Sequence, residues 1–124
     1  MTLLLDTHAV LWWRLDSPRL KRAVRAAIST SELVWVSAAS GWEVSIKRAL
    51  GKLELSEPFA SLVAGSEFVE LPIRLAHAEE IAALPPHHTD PFDRMLIAQA
   101  RIERATIVTH DRQFGLYDVP TLWI

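Results

Sequence analysis

Five short apolar segments alternate along this 124-residue chain with longer segments whose apolar residues follow helical spacing. The short segments are residues 2–5, 33–36, 68–71, 106–108 and 121–124. Strands that are apolar throughout, and that alternate with helices, are typical of a parallel sheet covered on both faces. We therefore predict an α/β fold that forms a single domain over residues 1–124.

The composition excludes several classes of protein. Hydrophobic residues make up 50% of the chain and charged residues 23%, which is typical of a globular protein. There is no cysteine, so disulfide frameworks and cysteine zinc sites are excluded. No apolar run approaches the roughly 18 residues of a membrane helix, and the start lacks a signal-peptide pattern. We expect a cytoplasmic protein with no membrane association.

The formal net charge of −2 argues against a generic nucleic-acid binder with a strongly basic surface. It leaves room for a local basic patch, or for a site where metal ions supply the positive charge.

A buried helix is predicted to begin in the segment 87–94. Pro91 suits the first helical position, and Asp90 before it suits the N-cap. The apolar residues that follow have helical spacing, whereas Asp93 lies in the first turn and off the apolar stripe.

Four acidic residues are expected to converge at one edge of the sheet. Asp6 directly follows the first strand and Asp111 follows the fourth, while Glu43 and Asp93 lie early in helices that start at the same edge. Ligands of open α/β sheets bind beyond the carboxyl ends of the strands. No lysine or arginine adjoins Asp6 or Glu43 in sequence, and clustered carboxylates favour a hard cation such as Mg²⁺ or Mn²⁺. This set predicts metal-assisted phosphodiester hydrolysis.

Each acid taken alone also has a purely structural interpretation. Asp6, Asp90 and Asp111 are candidate helix caps, and the segment from Ser40 to Glu43 matches a capping box. Asp90 is the most readily explained by capping, because Pro91 follows it. The joint placement of four acids at one edge favours a site.

Polar residues next to these acids have weaker roles. His88 and His110 are more typical of loop residues or of residues behind the ligands than of ligands themselves. Thr7 and Thr109 could each bond a carboxylate or a metal-bound water, or could simply form turns.

The first predicted helix, residues 9–15, is apolar nearly all round and contains Trp12 and Trp13. Adjacent helical residues point about 100° apart, so both tryptophans cannot face one core. Either two internal surfaces bury them, or one faces another chain.

The ordered set of motifs resembles a known family. The segments are Leu-Leu-Asp-Thr-His at 4–8, residues 37–43 ending in Trp-Glu, residues 90–100 beginning with Asp-Pro-Phe-Asp-Arg, and Thr-His-Asp at 109–111 followed by Phe114. Together they resemble the PIN-domain family, and most closely its VapC-type ribonuclease toxins from toxin–antitoxin modules. The resemblance covers the whole chain.

The resemblance implies a three-layer α/β/α sandwich with about five parallel strands in the order 3-2-1-4-5, which places Asp6 beside Asp111. It implies cleavage of RNA that depends on Mg²⁺ or Mn²⁺. The residues that match the family's catalytic and metal-binding acids are Asp6, Glu43, Asp93 and Asp111. Thr109 matches a frequent Ser/Thr, and Asp90 is an additional acid of one branch.

The resemblance also implies partners. They are an RNA substrate and a VapB-type antitoxin, with a homodimer expected; the helix with Trp12 and Trp13 is the candidate surface for either protein contact. Cations near the expected site are candidates for RNA phosphate contacts or for solvated charges and ion pairs: Lys47, Arg48, Lys52, Arg94 and Arg112.

Two other functions are compatible with such a sheet. A haloacid-dehalogenase-like phosphatase needs a second aspartate two residues after Asp6, where this chain has His8. A non-catalytic PIN-like module that binds RNA or protein would keep the fold and bind no metal at the acids.

Overall fold

A computed structural model describes residues 1–124. Its strands are β1 (Thr2–Leu5), β2 (Leu33–Ser37), β3 (Val69–Leu71), β4 (Thr106–Thr109) and β5 (Thr121–Trp123). Its α-helices are α1 (Thr7–Arg14), α2 (Arg22–Thr30), α3 (Ala38–Ala49), α4 (Phe59–Gly65), α5 (Leu75–Ala83) and α6 (Pro91–Glu103), and a 3₁₀-helix spans Arg112–Leu116. No helix has both the length and the apolar character needed to cross a membrane.

The five strands form one parallel sheet in the order β3-β2-β1-β4-β5, which confirms the prediction. In the centre, Leu5 of β1 is paired with Val36 on one side and Val108 on the other. The chain leaves β1 toward β2 and later returns on the other side as β4, so the strand order reverses between β1 and β4. Asp6 lies at this point, and its backbone N–H donates to the carbonyl of Val108 at 3.0 Å.

Two hydrophobic cores lie on opposite faces of the sheet. Leu3 and Leu5 of β1 face a core that also contains Val24 of α2, whereas Leu4 faces a second core with Ile97 of α6. Both faces of β1 are buried, which explains why this strand is apolar throughout rather than alternately polar. The architecture is the predicted α/β/α sandwich.

The second helix begins later than the sequence suggested. The pair Ser17–Pro18 has the pattern of a helix start, but α2 begins at Arg22. Ser17 instead closes a turn, in which its carbonyl accepts from Leu20 at 3.1 Å. The guanidinium of Arg25 fixes this turn by donating to the carbonyls of Ser17 at 3.0 Å and Leu20 at 3.1 Å.

The start of α3 excludes the capping-box interpretation of Glu43. Ser37 is the N-cap, and its hydroxyl accepts from the N–H of Ala39 at 3.0 Å. Glu43 therefore lies in the second turn, too far along the helix to bond back to the cap.

The two adjacent tryptophans of α1 pack on different internal surfaces. Trp13 lies against Phe68, with ring centroids 5.5 Å apart, and Trp12 lies against His8 and His110. Both are half-buried against the core on that side of the sheet, so internal packing accounts for much of each side chain.

Candidate active site

A cavity of about 430 Å³ opens at the carboxyl ends of β1 and β4. Its lining includes all four predicted acids, Asp6, Glu43, Asp93 and Asp111, together with Asp90. These acids come from the end of β1, from α3, from the start of α6 and from the end of β4. The fold thus brings together residues that lie up to 105 positions apart in the chain (111 minus 6).

Asp6 is both a cap and a member of the site. Its Oδ1 accepts the N–H of Ala9 at 2.8 Å and so caps α1, while the side chain lines the cavity. Asp6 is only 4% exposed. Burial raises the pKa of this carboxyl above its usual value, although a hydrogen bond from Thr109 and the N–H of Ala9 act in the opposite direction.

Hydroxyl groups and one cation orient Glu43. The hydroxyl of Thr7 donates to Oε1 at 2.6 Å and contacts the Ser40 hydroxyl at 3.0 Å. Lys47, one turn further along α3, lies with Nζ 3.3 Å from Oε2. Glu43 therefore has a cationic partner, which corrects the expectation based on its immediate sequence neighbours.

Asp93 is partly buried and lies near other carboxylates. Burial and then the charge of Asp90 raise its pKa to about 7, with smaller contributions from Glu43 and Asp6 and opposition from His88. Asp90 caps α6, as the sequence suggested, since its Oδ1 accepts the N–H groups of Phe92 at 2.8 Å and Asp93 at 3.3 Å.

Asp111 lies in a different environment. Its Oδ1 caps the 3₁₀-helix by accepting the N–H of Gln113 at 3.0 Å, and its own N–H donates to the Thr109 hydroxyl at 3.1 Å. Burial alone would raise the pKa of Asp111, but the hydrogen bonds from Gln113 and His88 outweigh it and hold the pKa below its usual value.

His88 joins two of the acids. Its Nε2 lies 3.0 Å from Oδ2 of Asp93 and 3.1 Å from Oδ2 of Asp111. Its backbone N–H donates to the hydroxyl of Tyr117 at 2.7 Å, which fixes the loop that carries it.

The cations divide into two groups. Lys47 and Arg112 line the cavity, where they can meet a phosphate. Arg94 does not line the cavity. Its guanidinium donates to the carbonyl of Ile81, within α5, and to that of Pro85, just beyond its end, both at 3.0 Å. This geometry favours a structural role for Arg94 over a phosphate contact, because its donors already bind backbone oxygens.

A family model described as the PIN domain matches residues 3–120. The chain belongs to the PIN-domain family.

Comparison with individual proteins agrees with this assignment. The chain is 31% identical over 128 residues to "Ribonuclease VapC22" of Mycobacterium tuberculosis, with 98% of each protein covered. Its fold is similar to a chain of VapBC2 from Rickettsia felis bound to a promoter DNA fragment, with a TM-score of 0.76, 14% identity, and 100% and 99% coverage. It is also similar to a chain of DNA-bound VapBC from Salmonella typhimurium, with a TM-score of 0.71, 18% identity, and 98% and 97% coverage.

The oxygen donors of this PIN domain fit a hard divalent cation. The four predicted acids share one cavity with Asp90, and burial together with the charges of Asp90, Glu43 and Asp6 raises the pKa of Asp93. Mg²⁺ and Mn²⁺ prefer such oxygen ligands, and a cation among these acids would relieve their repulsion. The cavity is therefore suited to binding a divalent ion.

Two histidines, one beside the cavity and one in its wall, have larger roles in this PIN domain than the sequence indicated. His88 lies between two acids, and His8, in the first turn of α1, lines the cavity wall. The run Asp-Thr-His at 6–8 contained a signal for His8, since it lies two residues from a predicted site acid. The sequence indicated His88 as a loop residue or a residue behind the ligands, but not its contact to Asp111, which spans 23 residues and depends on the tertiary fold.

Proposed function

We propose that this PIN domain is a metal-dependent endoribonuclease and the toxin component of a type II toxin–antitoxin module. The observation that carries the proposal is the convergence of Asp6, Glu43, Asp93 and Asp111 in one cavity at the reversal point of the sheet. Its relative in Mycobacterium tuberculosis is named a ribonuclease, and its structural neighbours are toxin–antitoxin complexes.

The four acids are the residues that would hold the metal. Mg²⁺ or Mn²⁺ bound there supplies a water of lowered pKa and stabilises the leaving oxygen of a phosphodiester. The chain's own residues prepare the ligands: Thr7 and Lys47 orient Glu43, and His88 holds Asp93 and Asp111 at a fixed separation.

Substrate binding in this proposal relies on a small number of cations. Lys47 and Arg112 lie in the cavity wall, which supports their proposed role as contacts to RNA phosphates. The guanidinium of Arg112 lies 4.5 Å from the centre of the Trp123 ring, which restricts its position. Restricted cations of this kind lower the entropy cost of holding the substrate.

The proposal extends to the setting of the protein. Residues 1–124 act as a single domain, because the sheet includes strands from both ends of this range. The protein works in the cytoplasm, forms a homodimer and binds a VapB-type antitoxin that suppresses its activity. The toxin–antitoxin complexes among its structural neighbours support the antitoxin partner.

Cleavage of a mixed cellular RNA pool by the purified chain tests the proposal. Discrete fragments are expected with Mn²⁺ or Mg²⁺, and none with EDTA or with Asp93→Asn. Absence of cleavage by folded, antitoxin-free protein, with no Mn²⁺ binding by calorimetry, would favour a non-catalytic PIN-like module. Trapping of a phosphorylated Asp6 would favour a phosphatase.

A further inference from the structure

A second set of potential metal ligands lies at one wall of the cavity and includes two nitrogen donors. His8 in α1 and His110 after β4 approach Asp6, so that one ligand atom of each residue lies within 4.8 Å of the other two. The pairing of β1 with β4 holds the set together, because Asp6 directly follows β1 and His110 directly follows β4.

The two imidazole rings have a separation that is compatible with ligands to one ion. Their centroids lie 4.8 Å apart and their planes are nearly perpendicular, at 85°. Two imidazoles that bind one Zn²⁺ with Zn–N distances of about 2.0 Å have ring centroids roughly 5 Å apart. Trp12 packs against both rings, at 5.9 Å from His8 and 5.1 Å from His110, and so fixes their positions.

The ring nitrogens of this pair are not used elsewhere. The hydrogen bonds and ion pairs of histidine side chains in this chain belong to His77 and His88. His8 and His110 are both exposed, so their ring nitrogens are accessible to an ion from solvent. Asp6, by contrast, is buried and held by its cap to α1.

We propose that Asp6, His8 and His110 form a binding site for a borderline transition-metal ion such as Zn²⁺, Co²⁺ or Ni²⁺. Imidazole nitrogens suit these ions, whereas Mg²⁺ prefers a set made of oxygen alone. Three protein ligands leave a further position that faces the cavity and accepts water. Binding at this site does not depend on the proposed nuclease activity.

The site shares Asp6 with the four-carboxylate set, and this sharing has a consequence for metal selection. An ion held by His8 and His110 would use the Asp6 carboxylate, which is also a predicted ligand of the four-carboxylate set, so ions at the two sets compete for Asp6. The same cavity therefore distinguishes two classes of divalent ion, one by its nitrogen donors and the other by its acids.

Titration of the full chain, free of any histidine tag, with CoCl₂ tests the site, because the visible absorption of Co²⁺ reports its coordination. We expect an absorption band that saturates with wild-type protein. The affinity that this band reports should fall by more than about tenfold in His8→Ala and in His110→Ala. His87→Ala, which removes another exposed histidine, should keep both band and affinity.

The proposal is overturned if both histidine variants bind Co²⁺ with wild-type affinity, or if wild-type protein gives no band that saturates. Circular dichroism and melting temperature verify that each variant is folded. Should an alanine variant unfold, His8→Phe and His110→Phe retain the ring packing against Trp12 and still remove the nitrogen donors. The assay contains no RNA, so failure of the ribonuclease proposal leaves its outcome unchanged.

Discussion

The Nε2 atom of His88 lies 3.0 Å from Oδ2 of Asp93, and this contact links the loop before α6 to the first turn of that helix. The backbone N–H of Asp90 donates to Nδ1 of the same ring at 3.2 Å, so Nδ1 is the acceptor and Nε2 bears the hydrogen. That hydrogen is shared between Asp93 and Asp111, which lies 3.1 Å away. His88 thus compensates part of the negative charge between these two acids.

His88→Ala is expected to lower the free energy of unfolding of metal-free protein by about 2 kcal/mol, because hydrogen bonds to charged groups contribute that much. Chemical denaturation in EDTA measures the loss. The loss should shrink in excess Mg²⁺, since a bound cation takes over the compensation of charge. His87→Ala is the control, as this neighbouring histidine is exposed and contacts Tyr117 rather than an acid. An equal loss with and without Mg²⁺ would contradict the role given to His88.

The pKa of Asp93 predicts a pH dependence of stability. Its pKa is about 7 in the folded protein against a usual 3.8, so between these values the folded chain binds more protons than the unfolded chain. The free energy of unfolding contributed by this group is therefore greatest at low pH and falls as the pH rises to about 7. Denaturation of metal-free wild type and Asp93→Asn across this range measures the difference. Parallel pH profiles for the two proteins would show that Asp93 has an ordinary pKa.

The hydrogen bond from Thr7 to Glu43 predicts a positioning role for the hydroxyl. Thr7→Val keeps the shape of the side chain but removes the donor at 2.6 Å from Oε1. RNA cleavage should fall roughly tenfold or more, mainly in kcat, because Glu43 loses its fixed orientation. Thr7→Ser restores the donor and should recover most of the activity. A serine variant as impaired as the valine variant would indicate that packing, rather than the hydroxyl, is what Thr7 supplies.

Arg94 and Arg112 are expected to respond oppositely to substitution. Arg94→Leu should destabilise the protein by about 2 kcal/mol or more, because the carbonyls of Ile81 and Pro85 lose a charged donor. It should leave the salt dependence of RNA binding unchanged. Arg112→Gln should have little effect on stability. It should reduce the slope of RNA affinity against salt concentration, on logarithmic scales, by an amount that corresponds to about one lost phosphate contact. Chemical denaturation and RNA binding at several salt concentrations separate the two effects. A change in salt dependence for Arg94→Leu, with a loss of stability for Arg112→Gln, would contradict these roles.

The sequence predicted those features that depend on local pattern and on family resemblance. Apolar strands followed directly by acids placed Asp6 and Asp111 at one edge, and the resemblance supplied the strand order that makes β1 and β4 neighbours. The start of α6 was also readable, because a cap residue followed by proline has few other interpretations. The matching Ser17–Pro18 pair shows the limit, since Arg25 stabilises a turn there instead.

The features that the sequence did not predict depend on distant contacts. The role of Arg94 depends on where α5 ends, 10 to 13 residues away, because the carbonyls exposed there bind its guanidinium. The position of His88 depends on Tyr117, which follows it by 29 residues. A sequence pattern with a period of two or 3.6 residues contains no information on contacts of this range.

Single-turnover cleavage of a defined RNA in saturating Mn²⁺, by the amide variants of the four acids, tests the central claim most directly. We predict that Asp6→Asn, Glu43→Gln, Asp93→Asn and Asp111→Asn each reduce the rate by at least about a hundredfold. Asp118→Asn, which changes an exposed acid away from the cavity, should keep the wild-type rate. Four variants that cleave within a few-fold of wild type would show that this cavity is not the catalytic site.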